Sequence, residues 1–482
     1  MSNKISNFFK KLIAGTMLGV SCLTLASCDL EKLFVFGGEE INPADIETFD
    51  GTKNSIFFAL YNYYGYEGQH FTHKWLGMRN ALENHGVIVE GYKGEKDARK
   101  FTISINKEKY DLPEDTVIYM VNNQNWDAGI QFNKPFAKYH PMAVISTCNG
   151  VEFAASPILS SGDAISNATM GGFSDTYRKA FEQGSLRYLV AKYSAHILPI
   201  FAASVDAVEN GEPMRNEEGY ALNLSISTWA IQTLTQYDEM SAVDSIDKDH
   251  PTVRKINIDK FFDKNNPEYG AANLETWVND SSKENIKALY ELNGTNAEED
   301  KAAYRQGKEI KCGIIAPSSV NDQVGKYITY IQEYLATAYN VTVLPVGSVT
   351  SVNTQNMVAK QLCNQGADFI ISLQDDTERN AAAQTCNEAG VYFAIGGSCQ
   401  NPIDYEEIKS LPYYVGSVGT SVEEEEKSAQ QMTEYYLQCL IKRAESEEAL
   451  EQYQIEAKGL ISDVEKVAFP VYRKEEENVW LS

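Results

Sequence analysis

The chain has 482 residues, with 42 Lys or Arg against 67 Asp or Glu, so its formal net charge at pH 7 is −25. Nucleic acids and anionic lipid surfaces are recognised through clustered Lys and Arg side chains, and this charge argues against both kinds of partner. The length exceeds what one hydrophobic core usually serves, so two or three domains are expected.

The first 28 residues have the anatomy of an export leader. Lys4, Lys10 and Lys11 precede the apolar run Leu12–Val20, and small residues follow. The run is too short to span a bilayer as a permanent helix, so this segment is not counted as part of the fold.

The leader ends in Leu25-Ala-Ser-Cys28, which resembles the lipobox of bacterial lipoproteins. The resemblance implies that Cys28 receives a lipid and becomes the first residue of the mature chain, anchored to a membrane and facing the periplasm or the cell exterior. Removal of residues 1–27 takes away three lysines and no acid, which moves the net charge from −25 to −28. The alternative is an ordinary secretory leader in which Cys28 has no lipid.

In the N-terminal half, short apolar runs alternate with amphipathic stretches and predict an α/β unit over residues 50–300. Ser55–Leu60 has the pattern of a strand, Phe71–Asn84 that of a helix closed by Gly86, and Val87–Val89 that of the next strand. This order predicts a βαβ opening.

Further along this half, Thr116–Val121 and Met142–Ser146 have the composition of strands that extend the same sheet. Phe173–Asn210 is mostly helical in pattern. The charged, Asn-rich segment Asn279–Gly307 is the expected joining segment to the second half.

From Lys311 onwards, five short apolar runs are separated by amphipathic stretches. The runs are continuous in apolar character, as in strands buried on both faces of a parallel sheet. They are Cys312–Ala316, Val341–Val346, Ala367–Ser372, Val391–Ile395 and Tyr413–Ser417. The predicted helices are Asp322–Tyr339, Asn353–Asn364, Thr377–Glu388, Tyr405–Lys409 and Glu423–Glu445. Asn321 and Thr377 are predicted N-caps, and Gly366 and Gly390 are predicted C-terminal glycines.

This pattern predicts a doubly wound, Rossmann-like parallel sheet. Ligands of such sheets bind beyond the carboxyl ends of the strands. The segments expected there are 317–322, 373–376 and 396–398, which supply hydroxyls, carboxylates, amides and bare glycines. These groups suit a small polar ligand.

Three motifs of this half, Lys311–Asp322, Gln365–Ser372 and Asn387–Ser398, resemble the opening lobe of type I periplasmic binding proteins. That family captures solutes for ABC importers between two α/β lobes. The resemblance implies ligand contacts at the following positions, each of which could instead be a turn or cap residue. They are Ser318, Asn321, Asp322, Asp375, Gly397 and Ser398.

The chain departs from the family because it ends soon after the fifth strand. We therefore expect one unit over residues 50–300, a second over 309–445 and a C-terminal extension over 446–482. The two units could be lobes of one receptor in rearranged order, or one receptor with a truncated copy, and the sequence leaves this choice open.

The N-terminal unit offers aromatic and amide side chains after its predicted strands. Tyr61 and Tyr64 belong to a tyrosine-rich loop, and tyrosine suits stacking on a sugar or a nucleobase. Asn122, Trp126 and Asn149 follow later strands and are further ligand-binding candidates. The alternative for the aromatic residues is packing within a core.

Neither a metal nor another cofactor is indicated. His70 and His73 lie close together, but their spacing is not that of H-E-x-x-H and no third ligand is evident. Nucleophile-elbow, phosphate-loop and dinucleotide-binding motifs are absent from the sequence, which argues against an enzyme. The run Glu423–Glu426 is expected in a solvated first helical turn.

Six cysteines remain after the lipobox: Cys148, Cys312, Cys363, Cys386, Cys399 and Cys439. Their spacing contains no C-x-x-C pair, and small buried hydrophobes are the expected role. One or two disulfides remain open in an exported protein.

Together these patterns predict a lipid-anchored solute-binding protein of an ABC importer, which binds a sugar, a nucleoside or a similar polar ligand by lobe closure. Its expected partners are the small molecule, an ABC permease and the membrane that holds the lipid, with no nucleic acid. The alternative is a surface adhesin or a ligand-sensing lipoprotein of the same fold.

Overall fold

The structure is a computed structural model in which part of the chain is described. The described residues are 55–61, 68–90, 102–105, 111–113, 116–123, 143–146, 166–294, 300, 309–318, 322–349, 354–374, 378–446 and 448–453. The leader with Cys28, and residues 454–482 of the C-terminal extension, lie outside them. Among the described helices, none has both the length and the apolar character needed to cross a bilayer.

The N-terminal half of the described chain alternates strands and helices. In chain order they are β1 (Ser55–Tyr61), α1 (Gly68–Asn84), β2 (Val87–Glu90), β3 (Thr102–Ile105), β4 (Val117–Asn123), β5 (Ala143–Ser146), β6 (Ser166–Met170), α2 (Asp175–Glu182), β7 (Leu186–Ala191), α3 (Leu198–Asn210), β8 (Leu222–Ser225), β9 (Trp229–Ile231), α4 (Leu234–Val243), α5 (Lys255–Ile258), α6 (Ala271–Asn279) and α7 (Lys283–Asn293). Short 3₁₀ helices lie at Ser194–Ile197 and Asp259–Phe261.

The C-terminal half continues the alternation. Its elements are β10 (Ile310–Pro317), α8 (Asp322–Tyr330), β11 (Val341–Val343), β12 (Gly347–Val349), α9 (Gln355–Asn364), β13 (Phe369–Ser372), α10 (Arg379–Ala389), β14 (Tyr392–Ser398), α11 (Pro402–Ile408), β15 (Tyr414–Thr420) and α12 (Val422–Glu445). Helix α8 continues through a π turn at Ile331–Leu335 and a last α-helical turn at Ala336–Ala338.

The first sheet has the strand order β4-β1-β5-β6-β7-β9. Its first five strands are parallel, and β9 runs antiparallel to β7. Counted along the chain, the five parallel strands follow the order 2-1-3-4-5, one of the two common orders of doubly wound sheets.

The second sheet has the order β11-β10-β13-β14-β15-β8, with β12 also paired to β10, and every pairing is parallel. Strands β10 to β15 repeat the order 2-1-3-4-5. Side chains alternate between its faces: Ile314 and Phe369 pack with α3, whereas Ile315 and Ile370 pack with α9 and α10. The predicted α/β class with two doubly wound parallel sheets is therefore confirmed.

The strands cross the predicted boundary between the two units. Strand β8 comes from residues 50–300 but pairs with β15 of the second sheet, and α12 leaves the second sheet to pack on α1 beside the first. Three short connections thus pass directly from one sheet to the other within the described chain. We call Lys192–Tyr193, Ile226–Thr228 and Ser421 the crossover segments.

One local prediction is wrong, and two others are incomplete. Val87–Val89 is a strand, but β2 pairs antiparallel with β3 in a separate ribbon, while the parallel partners of β1 are β4 and β5. Phe173–Asn210 is mostly helical, as predicted, but it also contains strand β7, which the pattern did not predict. The expected joining segment Asn279–Gly307 contains helix α7, with Ser282 as its N-cap.

The predicted N-caps Asn321 and Thr377 both lie outside the described residues. Helix α10 begins at Arg379 after Glu378, which makes no side-chain cap. Gly366 and Gly390 have positive φ angles at the ends of α9 and α10, as predicted.

Helices α1 and α12 meet at a glycine. A Cβ atom at Gly77 would lie 2.0 Å from the carbonyl oxygen of Glu426, so a larger residue would push the two helices apart. Polar pairs surround this contact: His73 Nδ1 lies 2.9 Å from Glu426 Oε2, and Asn80 Nδ2 donates to Glu426 Oε1. The C-terminal helix is therefore anchored to α1 by close packing and by hydrogen bonds.

His85, just after α1, is buried between two carboxylates. Its Nδ1 lies 2.7 Å from Asp111 Oδ1 and its Nε2 lies 2.7 Å from Glu434 Oε1 on α12. Burial acts to lower the pKa of His85, but the hydrogen bonds and charges of Glu434 and Asp111 outweigh it, and the net pKa is raised.

The raised pKa of His85 makes a pH-dependent contribution to stability. The contribution is fully present below the unfolded pKa of about 6.5 and is lost as pH rises through the folded pKa. We expect His85→Gln to lose more free energy of unfolding at pH 6 than at pH 9, measured by urea denaturation. Asp111→Asn removes one of the two carboxylates and should give an intermediate pH dependence. Equal losses at both pH values for His85→Gln would contradict a charged His85.

Candidate functional site between the two sheets

The strand order locates the places where each sheet can bind a ligand. In a doubly wound sheet, ligands bind beyond the carboxyl ends of the strands where the strand order reverses. For the first sheet this point lies between β1 and β5, and for the second sheet between β10 and β13.

Two predicted residues of the first sheet lie at this edge. Tyr61 is the last residue of β1, and Asn122 lies near the end of the adjacent parallel strand β4, opposite Leu60. The backbone therefore brings these two positions to the same edge of the sheet. Tyr64, Trp126 and Asn149 lie outside the described residues.

Four predicted residues of the second sheet also lie at its carboxyl edge. Ser318 follows β10 and is exposed, and its backbone N–H donates to Val349 O at 2.9 Å. Asp322 is the exposed first residue of α8. Gly397 and Ser398 end β14, and Gly397 has a φ angle of 93°. Asn321 and Asp375 lie outside the described residues.

Ser398 is buried beneath this edge beside a guanidinium. Its hydroxyl accepts a hydrogen bond from Arg379 Nη1 at 3.0 Å, and Arg379 is itself buried at the start of α10. On the neighbouring strand, the Ser372 hydroxyl donates to Gln355 Oε1 at 2.6 Å. The first residues of α9 and α10 thus hold the ends of β13 and β14.

The carboxyl edges of the two sheets come into contact next to β6. A Cβ atom at Gly172, two residues after β6, would lie 1.9 Å from Oε1 and 3.2 Å from Cβ of Gln323 in α8. The Nζ atom of Lys326, one turn further along α8, lies 5.7 Å from the ring centroid of Phe173. A side chain at position 172 would therefore displace the amide of Gln323, which lies where helix α8 approaches the first sheet.

A buried carboxylate lies directly behind this contact. Asp244, at the end of α4, accepts a hydrogen bond from the Ser194 backbone N–H and another at 3.1 Å from the Ser194 hydroxyl. Lys326 Nζ donates at 2.8 Å to Asp244 Oδ2, the oxygen that also accepts from the Ser194 hydroxyl, and Gln323 Nε2 donates to Ser194 Oγ at 2.9 Å. Burial raises the pKa of Asp244, whereas Lys326 and Ser194 act to lower it.

A neutral histidine adjoins this cluster. His196 is fully buried, and its ring packs edge-on against Tyr327 at a centroid distance of 5.1 Å. Burial and the nearby charge of Lys192 lower the pKa of His196 to about 3, so the imidazole is uncharged at neutral pH. Its Nδ1 bonds the Tyr193 carbonyl, which leaves Nε2 as an acceptor that has no hydrogen-bond partner among the described residues.

The crossover segments are joined by a polar chain that starts at Lys192. Its Nζ donates to Gly397 O at 2.5 Å and to Thr420 Oγ1 at 3.3 Å. Thr420 Oγ1 donates to Glu425 Oε1 at 3.3 Å, and Glu425 Oε2 lies 3.6 Å from Lys74 Nζ on α1. The ends of β7, β14 and β15 are thereby linked to the first turn of α12.

The remaining crossover segment joins the same helical turn. Glu424 Oε1 accepts hydrogen bonds from the backbone N–H and the hydroxyl of Thr228, at 2.9 and 2.8 Å. The sequence predicted that Glu423–Glu426 would lie in a solvated first turn. The helical position is right, but solvation is wrong for Glu425 and Glu426, which are buried against partners from other elements.

Sequence reasoning missed the residues that join the sheets. Lys192 and Ser194 follow β7, and they were overlooked because that strand was taken as helix. Gln323 and Lys326 lie on the expected helix α8, but their contacts with Gly172 and Asp244 depend on long-range packing that spacing does not reveal. One local feature could have indicated Lys192 and Ser194: they are polar residues that directly follow the apolar run Leu186–Ala191, as ligand-binding residues follow a strand.

The described residues contain no cluster of three or more His, Cys, Asp or Glu side chains that could hold a metal ion. Of the two histidines considered as metal ligands, His73 is bonded to Glu426. Cys312, Cys386, Cys399 and Cys439 are buried and Cys363 is half-buried, and none of these five described cysteines is in a disulfide, while Cys148 lies outside the described residues.

No family model and no curated protein matches the chain. Several solved structures are similar in fold. An ABC transporter solute-binding protein from Burkholderia multivorans has a TM-score of 0.42 and 8% identity, over 83% of this chain and 96% of that chain. One from Aeropyrum pernix has a TM-score of 0.40 and 10% identity, over 86% and 85%. The transcription regulator CcpA of Lactococcus lactis has a TM-score of 0.41 and 9% identity, over 80% and 92%.

Two of these three structures are solute-binding proteins, the class that the sequence resembles. At such low identities and TM-scores the similarity carries no argument about function, which must come from the site itself.

The Asp244–Lys326 pair is open to a double-mutant test. Lys326→Met leaves a buried carboxylate without its cation, and we expect a loss of about 3 kcal/mol in the free energy of unfolding, measured with urea. Asp244→Asn in the Lys326→Met background should restore part of this loss, because the unpaired charge is gone. Lys248→Met, at an exposed pair with Asp249, is the matched control and should change little. Additive losses in the double variant would show that the pair is not coupled.

Proposed function

We propose that this protein is an extracytoplasmic solute-binding protein that holds a small polar ligand between two α/β lobes. The observation that carries the proposal is that the two sheets meet at their carboxyl edges. Gly172, which follows β6, lies against Gln323 of α8 at this place, and three crossover segments join the two sheets. On this proposal each sheet contributes its ligand-binding edge to one shared cleft, and the short connections act as a hinge. No catalytic step is part of the proposal.

We propose that the lobes follow the two sheets rather than the order of the chain. The first lobe then contains β1 to β7, β9 and α12, and the second contains α3, β8 and β10 to β15. This division replaces a simple split near residue 300 and makes one two-lobed receptor out of the single chain.

The ligand we propose is neutral and rich in hydroxyl groups, such as a sugar or a nucleoside. Three basic side chains at the facing edges already donate to protein oxygens: Lys192 to Gly397 O, Lys326 to Asp244 and Arg379 to Ser398. An anionic ligand would have to compete with these bonds in a strongly acidic protein. Exposed Ser318 and Asp322 and the tyrosine at position 61 suit hydroxyl groups and ring faces.

A thermal-shift screen of residues 29–482 tests ligand binding. A ligand that binds only the folded state raises the melting temperature, with about 2.7 kcal/mol of stabilisation at a hundredfold excess over its dissociation constant. We expect a shift with a sugar or a nucleoside and none with amino acids or polyamines.

Asp322→Asn tests where that ligand binds. This variant should reduce the shift, because Asp322 lies at the carboxyl edge beside Ser318. Asp263→Asn changes an equally exposed aspartate in a loop after the 3₁₀ helix Asp259–Phe261 and should leave the shift unchanged. A well-folded melt with no response to any ligand class would contradict the receptor and favour an adhesin. A shift that both variants retain would exclude Asp322 from the site.

We also propose that Cys28 carries the lipid that holds the protein at a membrane, where an ABC permease would receive the ligand. The support is the leader sequence and its Leu-Ala-Ser-Cys ending. In a bacterial host, metabolic labelling with an alkyne-bearing palmitate should mark the wild type and leave Cys28→Ala unlabelled, with the variant found in the soluble fraction. Labelling of Cys28→Ala, or membrane retention without any label, would contradict this assignment.

A further inference from the structure

Two cysteines of the second lobe lie side by side on neighbouring helices. Helices α9 and α10 pack against each other on one face of the second sheet, in the same core cluster. Cys363 is the second-last residue of α9 and Cys386 lies in the middle of α10. Their sulfur atoms are 3.9 Å apart, and Cys363 is half-buried whereas Cys386 is fully buried.

Two other described cysteines have their sulfurs directed at the backbone. Cys399 Sγ lies 3.0 Å from Leu224 O and 3.2 Å from Gly419 O, and Cys312 Sγ lies 3.5 Å from Gly313 O. Within the described part of the chain, the one sulfur–sulfur contact that we find is the one between Cys363 and Cys386.

We propose that Cys363 and Cys386 are an oxidisable pair that forms a disulfide cross-link between α9 and α10. The two helices already hold the sulfurs 3.9 Å apart, and side-chain rotation must bring them to the length of about 2.05 Å of a disulfide bond. The proposal does not depend on the protein's being a solute receptor.

The two thiols are suited to different steps. The hydrogen bond with Cys386 lowers the pKa of Cys363, whereas that same bond and burial raise the pKa of Cys386. Cys363 is also the more accessible sulfur. Cys363 therefore ionises first and reacts first with an external oxidant, while Cys386 stays protonated in the core.

The oxidant is a small-molecule disulfide. The Cys363 thiolate attacks one of its sulfurs, forms a mixed disulfide and releases the first small thiolate. Cys386 then loses its proton and attacks the sulfur of Cys363, which expels the second small thiolate. The two cysteines give up two electrons and two protons in total, and the small disulfide is reduced to two thiols.

The cross-link would act on the floor of the candidate site. The first residue of α9, Gln355, bonds Ser372, and the first residue of α10, Arg379, bonds Ser398. A bond between the two helices therefore fixes the elements that hold the ends of β13 and β14. The disulfide would also lower the conformational entropy of the unfolded chain, which stabilises the folded state.

Mass spectrometry of the folded protein tests the pair. Residues 29–482 are incubated with oxidised or reduced glutathione, alkylated and digested with trypsin without reduction. We expect the oxidised sample to contain peptides 361–379 and 380–409 joined by a disulfide, and the reduced sample to contain both as alkylated peptides.

Peptide 380–409 also contains Cys399, so variants must assign the bond. Cys399→Ala should keep the cross-link, whereas Cys386→Ala and Cys363→Ser should each abolish it. Because Cys363 is half-buried, its serine variant tests the bond even if loss of the buried Cys386 unfolds the protein. The oxidised wild type should melt at a higher temperature than the reduced one, and Cys363→Ser should show no such difference.

Three results would overturn the proposal. One is full alkylation of both cysteines after oxidation of the folded protein. Another is a cross-link that Cys399→Ala abolishes. The third is a stable glutathione adduct on Cys363 that Cys386 never displaces.

Discussion

The passage of the chain between its two sheets depends on the first turn of helix α12. Glu424 bonds Thr228 in one crossover segment, and Glu425 reaches Thr420 at the end of β15 and, through it, Lys192 in another. Buried carboxylates are tolerated only where hydrogen bonds and opposite charges replace water. The positive end of the helix dipole stabilises these acids in the first turn. One helical turn thereby holds all three connections together, so a substitution in this turn would alter contacts in both lobes.

This arrangement separates two kinds of contact between the sheets. The bonds around α12 lie where the chain itself crosses, so a hinge motion changes their length little. The contacts of α8 with Gly172 and Asp244 join elements that are distant in sequence and lie at the facing edges. On the proposed lobe motion, the first set persists and the second set breaks and re-forms. The crossover network then acts as the pivot, and α8 acts as the surface that closes.

The sequence was informative where one local pattern decides the structure. The runs beginning at Cys312 and Ala367 are continuous in apolar character because their strands are covered by helices on both faces, and they were predicted close to their bounds. Strand β7 was missed because Leu186–Ala191 lies between two amphipathic helices and has few β-branched residues. The pairing of β8 with β15 and the docking of α12 on α1 depend on partners some two hundred and more residues away. The same holds for the candidate site. Ser318 and Ser398 could be predicted because they come at the ends of strands that the sequence pattern predicts, whereas Lys192 and Gln323 gain their contacts only through packing between distant parts of the chain.

The buried charge of Asp244 connects stability with the proposed motion. Its carboxylate is solvated by Ser194, next to a crossover segment, and is neutralised by Lys326 on the closing helix α8. If α8 moves away, Ser194 stays and Lys326 leaves, so the carboxylate must find water or take up a proton. Its pKa is already raised by burial even with Lys326 in place, and removal of the cation would raise it further. The open form therefore carries an electrostatic cost that closure removes. In a chain of net charge −25, where like charges repel overall, that local pairing opposes the general repulsion at the place where the two sheets meet.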